Sequence, residues 1–94
     1  MPSRHATSTS PLLRMRNLGP ACAAWLEAAG IRSEAEIRRL GSVETFRRVA
    51  FSRSGDVSMN LLYALEGAIR GVRWDHLSPE DRAALRAAAE APPP

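Results

Sequence analysis

Residues 14–33 read RMRNLGPACAAWLEAAGIRS and hold most of the signals that decide the fold. Pro20 is placed to start a helix, because proline suits the first helical position. The apolar residues that follow recur at helical spacing on one face and are Cys22, Trp25, Leu26 and Ala29. Gly30 is expected to end this helix in the left-handed conformation, which lets Ile31 fold back onto Leu26. The stretch therefore predicts a turn, a short helix and a glycine cap.

Four further helices are indicated by the serine that precedes each of them. These serines stand before helical segments and are Ser33, Ser42, Ser58 and Ser78. Ser33 also forms a capping box with Glu36, and the helix that it opens is predicted to end at Gly41. Pro79 follows the last serine at the favoured first helical position. The chain thus reads as five short helices.

The helix after Ser58 is the most apolar of the five, and we expect it to lie at the centre of the bundle. Its broad buried face is formed by Leu61, Leu62, Leu65 and Ile69. Glycine within a helix costs about 1 kcal/mol relative to alanine, so Gly67 predicts a close helix crossing. Trp74 is expected to fill the gap between this helix and the last one, and Trp25 and Phe46 are also assigned to the core.

The composition agrees with a single helical domain. The chain has 94 residues, enough for one core, and its apolar residues are mostly alanine and leucine, which are strong helix formers. No segment alternates as a half-buried strand would. We predict an all-α fold, a compact bundle of about five short helices over residues 12–90, with disordered tails at residues 1–11 and 91–94.

Several function classes are disfavoured by the residue types present. One cysteine and two histidines cannot form an ordinary zinc site, and no spacing joins His5 or His76 to Cys22 or to a carboxylate pair. We therefore expect no enzyme activity, cofactor, metal or small-molecule substrate, and we place Cys22 in the core. No apolar run reaches the ~20 residues that cross a bilayer, and the N-terminus lacks the apolar segment of a signal peptide. A cytoplasmic protein without a membrane partner is expected.

All thirteen basic residues are arginine, and they are unevenly distributed. Residues 1–53 hold nine arginines and four acidic residues, whereas residues 54–94 hold four arginines and six acidic residues. Three arginines follow a glutamate by four residues, a spacing that forms ion pairs on a helix surface: Arg38, Arg48 and Arg70. The arginines of the basic half without such a glutamate are Arg4, Arg14, Arg16, Arg32, Arg39, Arg47 and Arg53.

The turn NLGP at residues 17–20, with an apolar lead before it and a helix after it, resembles the helix-hairpin-helix motif found in SAM-like folds. In that motif a Gly-x-Gly hairpin offers backbone N–H groups to a DNA phosphate, a contact that carries no base information. Asn17 replaces the first glycine and tolerates a left-handed backbone, whereas Ala21 stands where a lysine is common. The candidate nucleic-acid-binding residues are Arg14, Arg16, Asn17, Gly19, Arg32 and Arg39.

Five segments extend the pattern along the chain: NLGP, GIR, LGSV with an aromatic residue soon after, NLLYALEGA, and GVRW followed by a leucine. Their order and spacing resemble the C-terminal domain of the TfoX (Sxy) family of bacterial competence regulators, over about residues 12–86. The resemblance implies a helical domain related to helix-hairpin-helix proteins, a role linked to transcription of DNA-uptake genes, and no enzyme activity. In the full regulators of this family an α/β domain precedes this one.

Two functions of different classes follow from these observations. The hairpin and the basic first half favour weak, sequence-nonspecific DNA binding, linked to transcriptional or competence regulation. The altered hairpin, and arginines engaged by glutamates, favour instead a protein-interaction adaptor that docks on a separate regulator or pairs with itself.

Overall fold

The computed structural model describes residues 10–91, so residues 1–9 and 92–94 of the predicted tails lie outside the described residues, as do Arg4 and His5. Four α-helices are formed: α1 (Pro20–Ala28), α2 (Glu34–Ser52), α3 (Met59–Arg70) and α4 (Pro79–Glu90). Two short 3-10 helices are Pro11–Arg14 and Trp74–His76. No strand occurs between residues 10 and 91, and the predicted all-α bundle is confirmed. Pro11, assigned to the N-terminal tail, instead begins the first 3-10 helix.

Helix α2 is broken at Gly41, where φ is 83° and ψ is 166°. This left-handed backbone suits glycine, and it separates the two helices that the sequence predicts before and after this position. Ser42, expected to cap the second of them, instead donates its hydroxyl to Oε1 of Glu66 at 2.6 Å. The break thus directs the buried Ser42 toward α3, and its hydrogen bond connects α2 to α3.

The predicted cap between α1 and α2 is confirmed in its hydrogen bonds. Gly30 has a φ of 85°, its N–H donates to the carbonyl of Glu27 at 3.0 Å, and the N–H of Ile31 donates to the carbonyl of Leu26 at 2.9 Å. Leu26 and Ile31 are both buried in the core. This pair of bonds is the Schellman motif, in which an apolar contact closes the cap.

Serine caps form at α2 and α4 but not at α3. The Ser33 hydroxyl accepts from the N–H of Glu36 at 3.2 Å, and the Ser78 hydroxyl accepts from the N–H of Asp81 at 3.0 Å. Ser58 precedes α3 without a side-chain cap bond, contrary to expectation. Its hydroxyl is therefore not used by the helix that it precedes.

The centre of the bundle is α3, as the sequence predicts. Leu61, Leu62 and Leu65 are buried in a cluster that also contains buried side chains of α1 and α2. Leu85 and Ala89 of α4 are partly buried and pack against this cluster. Phe46 is buried, whereas Cys22 and Trp25 are half-buried against the same cluster. Burial of each large aliphatic side chain stabilises the fold by roughly 1.5–3 kcal/mol.

The close approach predicted at Gly67 exists, but no helix crossing causes it. A Cβ atom at this position would lie 2.6 Å from Nδ2 of Asn17 and 2.8 Å from the carbonyl oxygen of Val72. The chain turns back on itself after α3, and the N–H of Val72 donates to the carbonyl of Gly67 at 2.9 Å. Gly67 therefore makes room for the NLGP turn and for the end of its own helix.

Two aromatic side chains are more exposed than the apolar pattern suggests. Trp74 is 42% exposed and does not fill a gap in the core, because it belongs to a 3-10 helix at the surface. Phe51, in the last turn of α2, is 90% exposed. The last core residue of α2 is Val49, and Phe51 lies on the solvent side of the helix.

Replacing Gly67 by alanine is expected to destabilise the protein by about 1–3 kcal/mol. The new methyl group would meet a backbone oxygen that cannot move cheaply, and this outweighs the helix propensity of ~1 kcal/mol gained. Gly19→Ala is the matched control, since a Cβ at Gly19 meets nothing within 4 Å. Urea unfolding followed by circular dichroism measures both variants, and a Gly67→Ala protein as stable as the wild type would contradict the close approach.

Candidate nucleic-acid interface

The NLGP turn has the backbone shape that a hairpin requires. Asn17 adopts a φ of 73°, in the left-handed region, as predicted for the residue that replaces glycine. The N–H of Leu18 donates to the carbonyl of Met15 at 3.3 Å, and both of these side chains are buried. The first arm of the hairpin is a single 3-10 helix, Pro11–Arg14, rather than an α-helix. Leu12, fully buried, anchors that arm.

The side chain of Asn17 is directed into the protein. Its amide nitrogen donates to the carbonyl of Val72 at 2.9 Å and to that of Ala64 at 3.4 Å. Its Oδ1 accepts from the backbone N–H of Trp74 at 3.1 Å. Asn17 thus fastens the hairpin to α3 and to the segment after it, and its side chain is committed to this structural role.

Gly19 is the open position of the turn. Its backbone is extended, with φ −95° and ψ −177°, and no side chain caps the helix that starts at Pro20. The space where a Cβ would stand is empty to 4 Å. The N-terminal N–H groups of a helix carry partial positive charge, so this end of α1 can be approached closely by an anion.

Most arginines in the described part of the chain are already engaged. The three predicted ion pairs are confirmed: Arg38 with Glu34 at 2.7 Å, Arg48 with Glu44 at 3.0 Å and Arg70 with Glu66 at 2.6 Å. Arg47 donates to the carbonyls of Ala88 and Ala91 at the end of α4. The other engaged arginines are bound to carboxylates, carbonyls or a phenol and are Arg53, Arg73, Arg82 and Arg86. These side chains already have partners within the described residues.

Four arginines remain without an ion pair or side-chain hydrogen bond to residues 10–91, and all four are exposed: Arg14, Arg16, Arg32 and Arg39. They are the arginines that the sequence places at the candidate site, whereas Arg47 and Arg53, equally unassigned in sequence, are engaged. Arg14 and Arg16 stand directly before the NLGP turn. Arg32 lies two residues before α2, and Arg39 lies in the first half of that helix. The unpaired positive charge of this part of the chain is concentrated in the first thirty-nine residues.

Glu36 lies between the last two of these arginines. Its Oε1 accepts from the backbone N–H of Arg32 at 2.8 Å. In a capping box the N–H of Ser33 would be the donor, so the donor is displaced here by one residue. The other bond of the capping box, from the N–H of Glu36 to the Ser33 hydroxyl, is present. The bond from the N–H of Arg32 is the main cause of a lowered pKa of Glu36, and the Ser33 hydroxyl and the charge of Arg39 lower it further. Glu36 is thus anionic and bound to the helix end, while both guanidinium groups remain free of a hydrogen bond to it.

A groove of about 380 Å³ opens between the NLGP turn, α1 and the start of α3, and we call it the hairpin groove. The residues that define it are Asn17, Trp25, Ser58, Asn60, Leu61 and Trp74. Cys22 also lines it, which places the thiol at the edge of the core rather than within it. This groove is not evident in the sequence, because its two tryptophans are far apart along the chain.

No group of three or more His, Cys, Asp and Glu side chains could hold a metal ion between residues 10 and 91. No helix in this part of the chain is long and apolar enough to cross a membrane.

A family model described as the TfoX C-terminal domain matches residues 8–89, nearly the whole chain. The chain belongs to this family. The TfoX C-terminal domain described here is also similar to a crystal structure of an uncharacterized protein from Listeria monocytogenes, with 37% sequence identity and a TM-score of 0.75. That similarity covers 80% of this chain and 84% of the Listeria chain. No curated protein matches the chain significantly.

The lowered pKa of Glu36 predicts acid sensitivity with a defined sign. Because the folded protein favours the carboxylate, this stabilisation is present above the unfolded pKa of ~4.3 and is lost as the pH falls through the lower folded value. The Glu36→Gln variant keeps an oxygen that can accept the N–H of Arg32 but cannot titrate. Melting temperatures are measured by circular dichroism from about pH 7 to about pH 3. As the pH falls, the melting temperature of the wild type should decrease more steeply than that of Glu36→Gln. Equal dependence of the two melting temperatures on pH would contradict the lowered pKa of Glu36.

Proposed function

We propose that this TfoX C-terminal domain is a non-enzymatic module that binds DNA weakly and without sequence preference. The observation that carries the proposal is the set of exposed arginines that have no partner among residues 10–91, Arg14, Arg16, Arg32 and Arg39. Two of the four directly precede the hairpin turn. Arginine that is not paired within the protein is available for phosphate, which it contacts through two parallel hydrogen bonds.

The backbone around Gly19 supports the same function. The open space at Gly19 lets a phosphate come close to the uncapped start of α1, where N–H groups point outward. Phosphate is common to every nucleotide, so contacts of this type give no base discrimination. Asn17 contributes by holding the turn in place rather than by contacting DNA.

The cellular setting forms part of the proposal. We assign the module to regulation of transcription or competence in the bacterial cytoplasm, since the resemblance to competence regulators implies such a role. DNA is the proposed partner, and neither a cofactor nor a small-molecule substrate is required for phosphate contact. The weak affinity follows from the small number of free arginines, because nonspecific DNA binding scales with the phosphates that are neutralised.

The Arg14→Ala/Arg16→Ala variant is expected to bind DNA more weakly and with less salt dependence. If each arginine neutralises one phosphate, the slope of log K against log salt should fall in magnitude by about 2. Fluorescence anisotropy with a labelled random-sequence duplex, titrated at low and at physiological salt, measures this slope. The Arg48→Ala/Arg73→Ala variant is the matched control. It removes two positive charges as well, but at arginines that are paired with carboxylates.

The control variant should retain the wild-type slope more nearly than the Arg14/Arg16 variant. Gly19→Ala provides a second test, since its methyl group would obstruct a phosphate at the turn without meeting any protein atom. Absence of duplex binding at low salt, or equal losses in the two double variants, would reject phosphate binding by the hairpin.

A protein-interaction adaptor is the second candidate function, and Phe51 favours it. This side chain is 90% exposed and borders a shallow groove of about 570 Å³, together with Ala28, Ala29 and the stems of Arg47 and Arg48. An exposed aromatic residue beside small apolar residues is typical of surfaces that pack against another protein. The partner would be a separate regulator or a second copy of this domain.

Replacing Phe51 by serine is expected to abolish such an association while changing the free energy of unfolding by less than about 0.5 kcal/mol. Sedimentation equilibrium measures self-association, and affinity capture from a nuclease-treated lysate measures binding to another regulator. If wild-type and Phe51→Ser proteins are both monomeric and retain the same proteins, the adaptor function is rejected.

A further inference from the structure

We propose that the hairpin groove accepts an unpaired base, so that single-stranded DNA is the preferred form of the ligand. This inference rests on the proposed function, because the phosphates of the same strand would be held by the arginines before the turn. It adds a second contact, to the base, that the phosphate hairpin alone does not provide.

The groove brings together the two tryptophans of the chain. Trp74 is 42% exposed, and its backbone N–H is fixed by Oδ1 of Asn17 at 3.1 Å. Trp25 is half-buried, and the guanidinium of Arg53 lies 4.2 Å from the centre of its ring. An exposed tryptophan on a rigid backbone is a stacking surface for any base, because every base has a π-face.

The remainder of the groove combines an apolar floor with unused polar groups. Leu61 and Ala64 of α3 form the floor, and both are buried. Ser58 and Asn60 are exposed at the rim, and neither side chain makes a hydrogen bond within residues 10–91. An amide both donates and accepts, so Asn60 can contact the edge of different bases.

Charge favours a nucleic-acid strand over a neutral apolar ligand. Arg16 directly precedes Asn17, which lines the groove, and Arg14 lies two residues earlier. Neither guanidinium has a carboxylate partner in the described part of the chain. A phosphate held beside the turn would therefore place the adjoining base near the mouth of the groove.

The groove discriminates against duplex DNA. A base in a duplex is paired and stacked, and entry into a protein pocket requires that both interactions be broken. An unpaired strand avoids this cost. Phosphate contacts at the hairpin remain available to both forms, so the duplex binds more weakly than the single strand but is not excluded.

Intrinsic tryptophan fluorescence tests this proposal directly, because both tryptophans of the protein line the groove. Titration with oligothymidylate should quench the emission to saturation, whereas an abasic oligomer with the same number of phosphates should not.

Trp74→Ala should weaken oligothymidylate binding, measured by anisotropy of a labelled strand, by roughly tenfold. Trp74→Phe should recover most of this loss, and Phe51→Ala, which removes an exposed aromatic outside the groove, should bind like the wild type.

Circular dichroism melting establishes that each variant is folded before it is titrated. Equal affinity for the abasic and the thymidylate oligomers, or for the wild type and a folded Trp74→Ala variant, would overturn base binding in the groove. Duplex binding with the salt dependence described above would then still support the phosphate hairpin. Loss of binding to all three oligonucleotides would overturn both proposals.

Discussion

The amide of Asn17 is the interaction on which the arrangement of this domain depends. Its three hydrogen bonds reach Ala64, Val72 and Trp74, and they join the N-terminal turn to the end of the central helix across most of the chain. Buried polar groups are costly when they lack partners, and here one side chain satisfies several backbone groups at once. The same residue has the left-handed backbone that directs the chain into α1. A single asparagine therefore sets both the shape of the hairpin and its position on the bundle.

A second set of polar contacts fixes the remaining helices. Glu66 of α3 accepts from Ser42 of α2 and from Arg70, which in turn bonds Asp81 of α4 at 2.9 Å. Hydrogen bonding to Arg70 lowers the pKa of Asp81, and bonding to Glu66 and Asp81 raises the pKa of Arg70. Because these groups are partly exposed, each pair contributes little alone, and their effect is to orient three helices around one arginine. The arginines used in this way are unavailable to a ligand.

Local signals in the sequence were sufficient for the positions of the helices, although the caps expected at Ser42 and Ser58 do not form. Gly30, Gly41 and Ser33 act within a few residues of themselves, and each has the predicted effect on the backbone. The other errors arise where the partner is distant in the chain. Gly67 predicted a close approach, but its partner is the Asn17 side chain, and Trp74 was placed in the core although it lies at the surface. Excluding the arginines that follow a glutamate by four residues reduces the set of candidates. It does not exclude Arg47, because the carbonyl groups that Arg47 contacts lie at the end of α4 and are identified only by the tertiary structure.

The absence of lysine gives the exposed arginines that have no partner among the described residues a fixed chemical character. A guanidinium keeps its proton at any pH found in a cell, and it is not a substrate for the acetylation that neutralises lysine. Arg14, Arg16, Arg32 and Arg39 therefore keep their charge whatever the acetyl-group supply of their surroundings. Dissolved salt screens the charge of these side chains. Their attraction for an anion therefore depends on ionic strength and not on acetylation.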